Sequence, residues 1–233
     1  MHKYILLIES ATDTCSVALA DGSTVIAEKV CRIARSHDTI LAPLADSILK
    51  ENGLKATDLA LIGVSEGPGS YMGLRIGVAL AKGIAYSAKI KILGISTLQA
   101  IAQCSLDNIQ DGFDFIVPMI DAGRMEVYTT VFDHSLLMTA PPEAKILDEN
   151  SFADLMDKKV LFCGNGAPKF GELLGQKFVS LPQNIKILDQ APSASGLRFA
   201  AFQALEEGKE SNLAYFQPFY LKEFIPGKQK KLL

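Results

Sequence analysis

The sequence predicts an α/β protein of two lobes, and three observations carry that prediction. Strand-like apolar runs alternate with longer helix-like segments, the order strand, hairpin, strand and helix occurs twice, and a polar interruption separates the two copies. Mixed strands and helices in this order are typical of layered α/β lobes. We place the boundary within residues 103–112, which gives an N-terminal lobe of residues 1–105 and a C-terminal lobe of residues 106–233.

The N-terminal half begins with a strand, a polar turn at residues 10–14 and a hairpin. Asp21-Gly22 is the hairpin signal, and Ser36 is the expected N-cap of the first helix, which stops at Gly53. The predicted strands of this half are residues 4–8, 15–20, 24–30, 61–65 and 90–95, and the predicted helices are residues 36–52, 70–88 and 97–103.

The C-terminal half repeats the pattern in a reduced form, with a polar, proline-bearing stretch after its second strand. Packing of the helix near residues 193–207 back on the N-terminal lobe is one arrangement that we consider. The basic tail at residues 228–231 is predicted to be a solvated chain end. The predicted strands are residues 115–120, 126–132 and 160–163, and the predicted helices are residues 151–156, 168–174 and 193–207.

Composition and charge exclude several classes of protein. With 48% hydrophobic and 21% charged residues, the 233-residue chain has the amino-acid composition of an ordinary globular protein. A net charge of −3 lacks the basic field of nucleic-acid-binding proteins, so we expect any contact with nucleic acid to depend on a partner. The most apolar stretch, residues 74–88, is too short and too charged to cross a membrane. Four widely spaced cysteines without a C-x-x-C pair indicate reduced, buried thiols and a cytoplasmic location.

Three turns rich in glycine or hydroxyl residues follow predicted strands, at residues 10–14, 121–124 and 164–167. In a two-lobed α/β protein such turns can face one cleft, where their backbone N–H groups cradle phosphate. The alternative is that each is a tight turn that needs small residues. The candidate nucleotide-cleft residues are Thr12, Asp13, Asp121, Gly164 and Gly166.

The first two predicted helices are apolar over a wider arc than one core requires. In the second helix Gly73, Gly77 and Ala81 recur every four residues, a stripe that would let another helix approach closely. We therefore expect an intermolecular helix interface, and the alternative is that both helices are sandwiched within the chain. The candidate interface residues are Leu41, Tyr71, Leu74, Arg75 and Val78.

Catalytic and metal-binding patterns are scarce, so we assign no catalytic residue and no metal ligand. The three histidines are not spaced with other ligands as a metal site needs, and there is no G-x-S-x-G elbow. The glycine-rich segment from Glu66 to Gly73 lacks the Gly-Lys-Ser/Thr of a P-loop, and we interpret it as a strand-to-helix turn.

Residues 66–77, EGPGSYMGLRIG, resemble the signature of the TsaB (YeaZ) family. Residues 8–19, IESATDTCSVAL, are similar to the family's first hairpin, residues 121–128, DAGRMEVY, to its second-lobe hairpin, and residues 218–222, PFYLK, to its C-terminal segment. The resemblance spans essentially the whole chain. It implies the actin/Hsp70/sugar-kinase (ASKHA) fold, in which both lobes are ribonuclease-H-like.

The resemblance also implies a function. The chain would be a non-catalytic subunit that dimerises with TsaD, the paralogue that transfers threonylcarbamoyl to the tRNA adenosine beside the anticodon. ATP or ADP and a metal are then expected on the partner, with no cofactor on this chain. TsaE is expected in the larger complex, and a homodimer when the chain is alone. The alternative is an independent enzyme of the same fold, either a glycoprotease-like hydrolase or a small-molecule kinase.

Two departures bear on that expectation. Thr97 and Ile101 stand where the resemblance places the two metal-binding histidines of TsaD, and these side chains cannot replace imidazoles. Glu9 stands where the family often has aspartate, which puts a nucleotide or Mg²⁺ role for this residue in doubt.

Overall fold

A computed structural model describes residues 3–177 and 180–222, so the basic tail at residues 228–231 lies outside the described residues. The first of two five-stranded sheets has the order β3-β2-β1-β4-β5. β2 pairs antiparallel with β1 and β3, whereas β1, β4 and β5 run parallel. Its strands are β1 (Tyr4–Glu9), β2 (Cys15–Asp21), β3 (Thr24–Cys31), β4 (Leu61–Gly67) and β5 (Lys91–Ser96), and the helices of this half are α1 (His37–Glu51), α2 (Tyr71–Ala88) and α3 (Thr97–Asp107).

The second sheet repeats this arrangement, with the order β8-β7-β6-β9-β10. The strands at the β8 side are antiparallel, and β6, β9 and β10 are parallel. Two five-stranded sheets of the same order confirm the predicted two-lobed α/β fold. The strands are β6 (Phe115–Asp121), β7 (Glu126–Asp133), β8 (Met138–Ile146), β9 (Val160–Cys163) and β10 (Ile185–Leu188), and the helices are α4 (Ala167–Lys177) and α5 (Arg198–Glu206).

Strand β1 is buried on both faces, which is usual for a sheet covered by helices on each side. Leu6 and Ile8 point into the core beneath α1 and α2. Ile5 and Leu7 point into the core on the opposite face, where Leu197 and Ala201 cover them. The segment predicted as a helix over residues 193–207 is a 3₁₀ turn followed by α5, and it packs on the sheet of the N-terminal half.

After α5 the chain runs back along the first sheet in a segment that we call the strap, residues 211–222. The Ser211 amide donates to the Ile92 carbonyl at 2.8 Å, and the Phe219 amide donates to the Glu66 carbonyl at 2.7 Å. Lys222 then forms an ion pair with Glu126 of the second lobe. Among the described helices, none is both long enough and apolar enough to cross a membrane.

Two strands were missed by the sequence prediction. β8 lies at the edge of its sheet and contains Pro141 and Pro142, which fall at a register shift between the pairs Val131–Ala140 and Thr129–Glu143; an edge strand tolerates proline at such a bulge. β10 has only four residues, Ile185–Leu188, too few to show a period.

Candidate functional site

The cleft between the two lobes is a cavity of about 340 Å³ at the ends of β1, β4, β6 and β9. Thr12 and Asp13 line it from the first lobe, and Asp121 lines it from the second. The structure thus brings together three of the five residues predicted for a nucleotide cleft. Asn165, which lies between the other two, also faces the cavity.

Gly164 and Gly166 hold the β9–α4 turn against β6. A Cβ on Gly164 would lie 2.1 Å from the Met119 carbonyl oxygen, and Gly164 has φ +107°, a conformation that favours glycine. A Cβ on Gly166 would lie 3.1 Å from the Asp121 amide nitrogen. Both glycines therefore have a packing reason, which fits the alternative of a tight turn.

The backbone amides that would cradle a phosphate already donate within the chain. In the first turn the Ala11 amide donates to Glu9 Oε1 at 2.7 Å. In the second, the Asp121 amide donates to Asn165 Oδ1 at 3.0 Å and the Gly123 amide to Asp121 Oδ1 at 2.6 Å. These N–H groups would have to give up internal hydrogen bonds in order to bind an anion.

Charge also disfavours a nucleotide in this cleft. Burial raises the pKa of Asp121, but hydrogen bonds from Lys169 and from the Gly123 amide outweigh it and leave the pKa below its usual value. Asp121 is thus ionised, and its ion pair holds Lys169 away from other anions. The carboxylates of Asp13 and Asp121 line the cavity and would repel the phosphates of a nucleotide that arrives without a divalent cation.

Glu9 is fully buried at the end of β1, behind the cleft turn. Its Oε1 accepts from the Ala11 amide, so the long side chain folds back onto its own turn. Oε2 has no hydrogen-bond partner among the described residues. Burial raises the pKa of Glu9 to about 7, and hydrogen bonds from Ala11, Ser65 and Ser10 oppose that rise.

The two positions of α3 that correspond to the histidines expected in TsaD are part of the hydrophobic core. Thr97 and Ile101 are both fully buried. Ile101 packs with Ile116 and Phe132 of the second lobe. Within the described ranges, no group of three histidine, cysteine or acidic side chains is placed to hold a metal ion.

The predicted outward placement of three interface residues is wrong. Leu41, Leu74 and Val78 are 1%, 0% and 4% exposed, respectively, within the lone chain. α1 and α2 cover one face of the first sheet, and these side chains point down onto it because that face would otherwise meet water. The small-residue stripe points the same way, since a Cβ on Gly73 would lie 2.1 Å from the Ser10 carbonyl oxygen.

The other two predicted interface residues are at the surface, beside the strap. Tyr71 is half-buried, and its ring centroid lies 5.1 Å from that of Tyr220. Arg75 is exposed, with its guanidinium carbon 4.3 Å from the Tyr71 ring centroid and its Nε donating to the Tyr220 hydroxyl at 3.3 Å. Their role in binding a partner stays a prediction.

The outward face of α2 is formed by residues that the sequence prediction did not select. Met72 is 61% exposed, and Ala79 and Gly83 follow it on the same side of the helix, also exposed. Beside this face, half-buried aliphatic side chains form a crease between α1 and α2, consisting of Ile40, Leu44, Ile76, Leu80 and Ile84. Because α2 is apolar over a wide arc, its sequence did not show which side points outward, and only the position of the sheet decides this.

Known proteins share both this sequence and this fold. Residues 31–224 match the family model described as TsaD: tRNA N6-adenosine threonylcarbamoyltransferase. The chain is 34% identical over 165 residues to the TsaB protein of Bacillus subtilis, covering 69% of this chain and 70% of that one. It is 29% identical to TsaB of Escherichia coli, covering 97% and 99%. The YeaZ structure from Pseudomonas aeruginosa superposes with a TM-score of 0.79 at 24% identity, covering 94% of this chain and 100% of that one.

The fold agrees with these matches, because two sheets of the same strand order are what the ASKHA architecture requires. The matched range begins within β3 and runs through both lobes. The chain therefore belongs to the TsaB (YeaZ) family of tRNA threonylcarbamoyladenosine biosynthesis proteins.

Proposed function

We propose that this chain is the non-catalytic subunit of a tRNA threonylcarbamoylation complex and that it docks on TsaD through the outward face of α2 and the α1–α2 crease. Catalysis, the metal and the nucleotide belong to TsaD in this proposal, and tRNA meets the chain only in the complex. TsaE is a further member of the complex, and the same face forms a homodimer when TsaD is absent.

The state of the cleft supports a non-catalytic role. Asp121 is neutralised by Lys169, and the amide of Ala11 is occupied by Glu9. At the two positions expected to match the TsaD histidines, Thr97 and Ile101 are sealed in the core. A hydrolase or kinase would need a reactive group or a phosphate site here, whereas the Asp121 carboxylate and the amides of Ala11 and Asp121 already have partners within the chain.

The observation that carries the docking proposal is the surface of α2. A Cβ on Gly83 would meet no atom within 4 Å, and Met72 leaves most of its side chain in water. The small side chain of Ala79 between them lets a second helix approach closely, while the aliphatic crease supplies apolar area beside it. A charge placed at Ala79 would be buried without a partner in the complex.

The experiment combines binding with activity. The purified chain is mixed with its TsaD counterpart, and threonylcarbamoylated tRNA is measured with the chain, without it and with the Ala79→Glu variant. We expect modification only when the chain is present, and a loss of TsaD binding of at least about tenfold in Ala79→Glu, because desolvating an unpaired charge costs several kcal/mol. Unchanged binding by Ala79→Glu would place the interface elsewhere.

Two further variants make the result specific. Ile146→Glu adds the same charge at a 73% exposed aliphatic residue of the second lobe, and it should bind TsaD normally. Leu74→Glu, at a fully buried position of α2, should fail to fold, which distinguishes a broken core from a broken interface. Full tRNA modification by TsaD in the absence of this chain would refute the accessory role itself.

A further inference from the structure

The four cysteines are far apart in sequence, yet the fold brings Cys15 and Cys31 together. They are directly opposed partners in the antiparallel β2–β3 ladder. Cys15 is buried in the core beneath α1, and Cys31 packs against the same core. Opposed residues have Cα atoms about 4.5–5.5 Å apart, inside the range of about 4.4–6.8 Å that a disulfide spans. The hairpin therefore needs little backbone movement to close a bridge.

The two thiols of this pair have unequal reactivity. Cys31 is half-buried, and its Sγ lies 3.4 Å from the Ser36 hydroxyl, a hydrogen bond that lowers the pKa of the Cys31 thiol. Cys15 is 2% exposed, and burial raises the pKa of its thiol to about 11. Because the thiolate is the nucleophile, Cys31 reacts first with an oxidant from solvent and Cys15 stays protonated behind it. The sequence prediction of four buried thiols is thus wrong for Cys31.

Cys104 of α3 and Cys163 of β9 provide an internal comparison. Both are buried, and burial raises the pKa of each thiol to about 12. Neither offers a thiolate at the surface, so the same oxidant finds only one accessible nucleophile among the four free cysteines.

We propose that Cys15 and Cys31 form an oxidation site at which hydrogen peroxide generates a reversible cross-strand disulfide. The Cys31 thiolate attacks the peroxide, the O–O bond breaks, and sulfenic acid forms while hydroxide leaves. The Cys15 thiol then displaces hydroxide from the Cys31 sulfur, which forms the S–S bond, and its proton completes a water molecule. Two thiols lose two electrons, and the peroxide oxygens gain them.

The position of the bridge gives it a consequence at the start of α1. Cys15 directly follows the cleft turn at residues 10–14, and Cys31 leads into the segment before α1. His37 already ties that helix to the turn through its Nε2, 2.8 Å from the Thr12 carbonyl oxygen. Disulfide formation removes the Cys31–Ser36 hydrogen bond, and because Ser36 directly precedes α1, oxidation acts on the start of this helix.

The test uses the full-length reduced chain and about equimolar hydrogen peroxide. Remaining thiols are blocked with N-ethylmaleimide, and the mass and the non-reduced peptide map are recorded. We expect a loss of about 2 Da, one linked pair of peptides carrying Cys15 and Cys31, and full reversal by dithiothreitol. Cys104 and Cys163 should take up N-ethylmaleimide only after unfolding.

Two variants check the order of events. Cys15→Ala should halt at a Cys31 sulfenic acid, about 16 Da heavier and captured by dimedone, whereas Cys104→Ala should still form the bridge. A wild-type chain that keeps four thiols, that accumulates Cys31 sulfinic acid or that links either buried cysteine would overturn the proposal. If Cys15→Ala does not fold, the wild-type peptide map decides by itself.

Discussion

Helix α2 contains glycines in opposite environments, and replacing each by alanine separates close packing from helix propensity. A Cβ on Gly73 would lie 2.1 Å from the Ser10 carbonyl oxygen and 3.3 Å from Ser70 Cβ. A Cβ on Gly83 would meet nothing within 4 Å. The two substitutions add the same methyl group to the same helix, so they differ only in what that methyl group contacts.

The magnitudes follow from these contacts. In Gly73→Ala the start of α2 must move away from β1 by roughly 1 Å, and overpacking of this kind costs about 3 kcal/mol at the upper end of its range. Alanine has a higher helix propensity than glycine, which offsets about 1 kcal/mol of this cost, so the free energy of unfolding falls by about 2 kcal/mol. Gly83→Ala raises the free energy of unfolding by about 1 kcal/mol through helix propensity, and no steric cost opposes this gain. For a chain of this length we expect a melting temperature about 4–8 °C lower in the first variant and about 2–4 °C higher in the second.

Differential scanning calorimetry of the two variants beside the wild type measures both shifts. Gly77→Ala is a graded third arm, because a Cβ there meets the Ser10 hydroxyl, a side-chain atom that can rotate away, rather than a backbone oxygen. We expect its melting temperature to fall less than that of Gly73→Ala. Equal melting temperatures for the Gly73 and Gly83 variants would refute the close approach of α2 to the end of β1.

Two other expectations concern the cleft. Glu9 has a folded-state pKa of about 7 against an ordinary 4.5, so its contribution to stability is full below pH 4.5 and is lost as pH rises through 7. Glu9→Gln should therefore match the wild type in urea unfolding at pH 4.5 and exceed it at pH 8 by about 3 kcal/mol, and equal stability at both pH values would contradict a neutral buried carboxyl. Calorimetric titration with Mg·ADP should show no binding tighter than about 0.1 mM, because the amides of Ala11, Asp121 and Gly123 already donate within the chain; a micromolar constant would reverse this view.

Local sequence signals predicted most of the first lobe. The bounds of α2 came within one residue, because Ser70 acts as the N-cap through its hydroxyl, which accepts from the Gly73 amide at 3.3 Å. The strands β1 and β2 were recognisable from continuous apolar runs. In the second lobe β8 was missed because Pro141 and Pro142 are ordinarily signs of a loop, and only a sheet edge with a bulge in its ladder makes them acceptable.

Features that depend on which residue lies opposite another in the fold could not be predicted from the sequence. The wide apolar arc of α2 was recognised, but the buried side was predicted to point outward. Leu74 and Met72 are both apolar, and the sheet alone decides which of them is covered. In the same way, Cys15 and Cys31 had no visible relation until the β2–β3 register placed them opposite each other. The occupancy of the cleft amides depends on partners such as Asn165, which lies more than forty residues from Asp121.

The signature at residues 66–77 shows why a motif can identify a fold without identifying a reaction. Each of its four glycines faces a different atom at a distance that excludes a Cβ: the Phe219 carbonyl for Gly67, the Ala11 carbonyl for Gly69, the Ser10 carbonyl for Gly73 and the Ser10 hydroxyl for Gly77. These contacts join β4, the cleft turn, α2 and the strap into one junction.

None of those glycine contacts requires a ligand, so the motif would persist whether or not the cleft binds one. What the junction does determine is the rotation of α2 about its axis, because Gly73 and Gly77 must face Ser10. That rotation leaves Met72, Ala79 and Gly83 on the outside. If α2 is the docking helix, the signature acts on function indirectly, by fixing which side of the helix a partner meets.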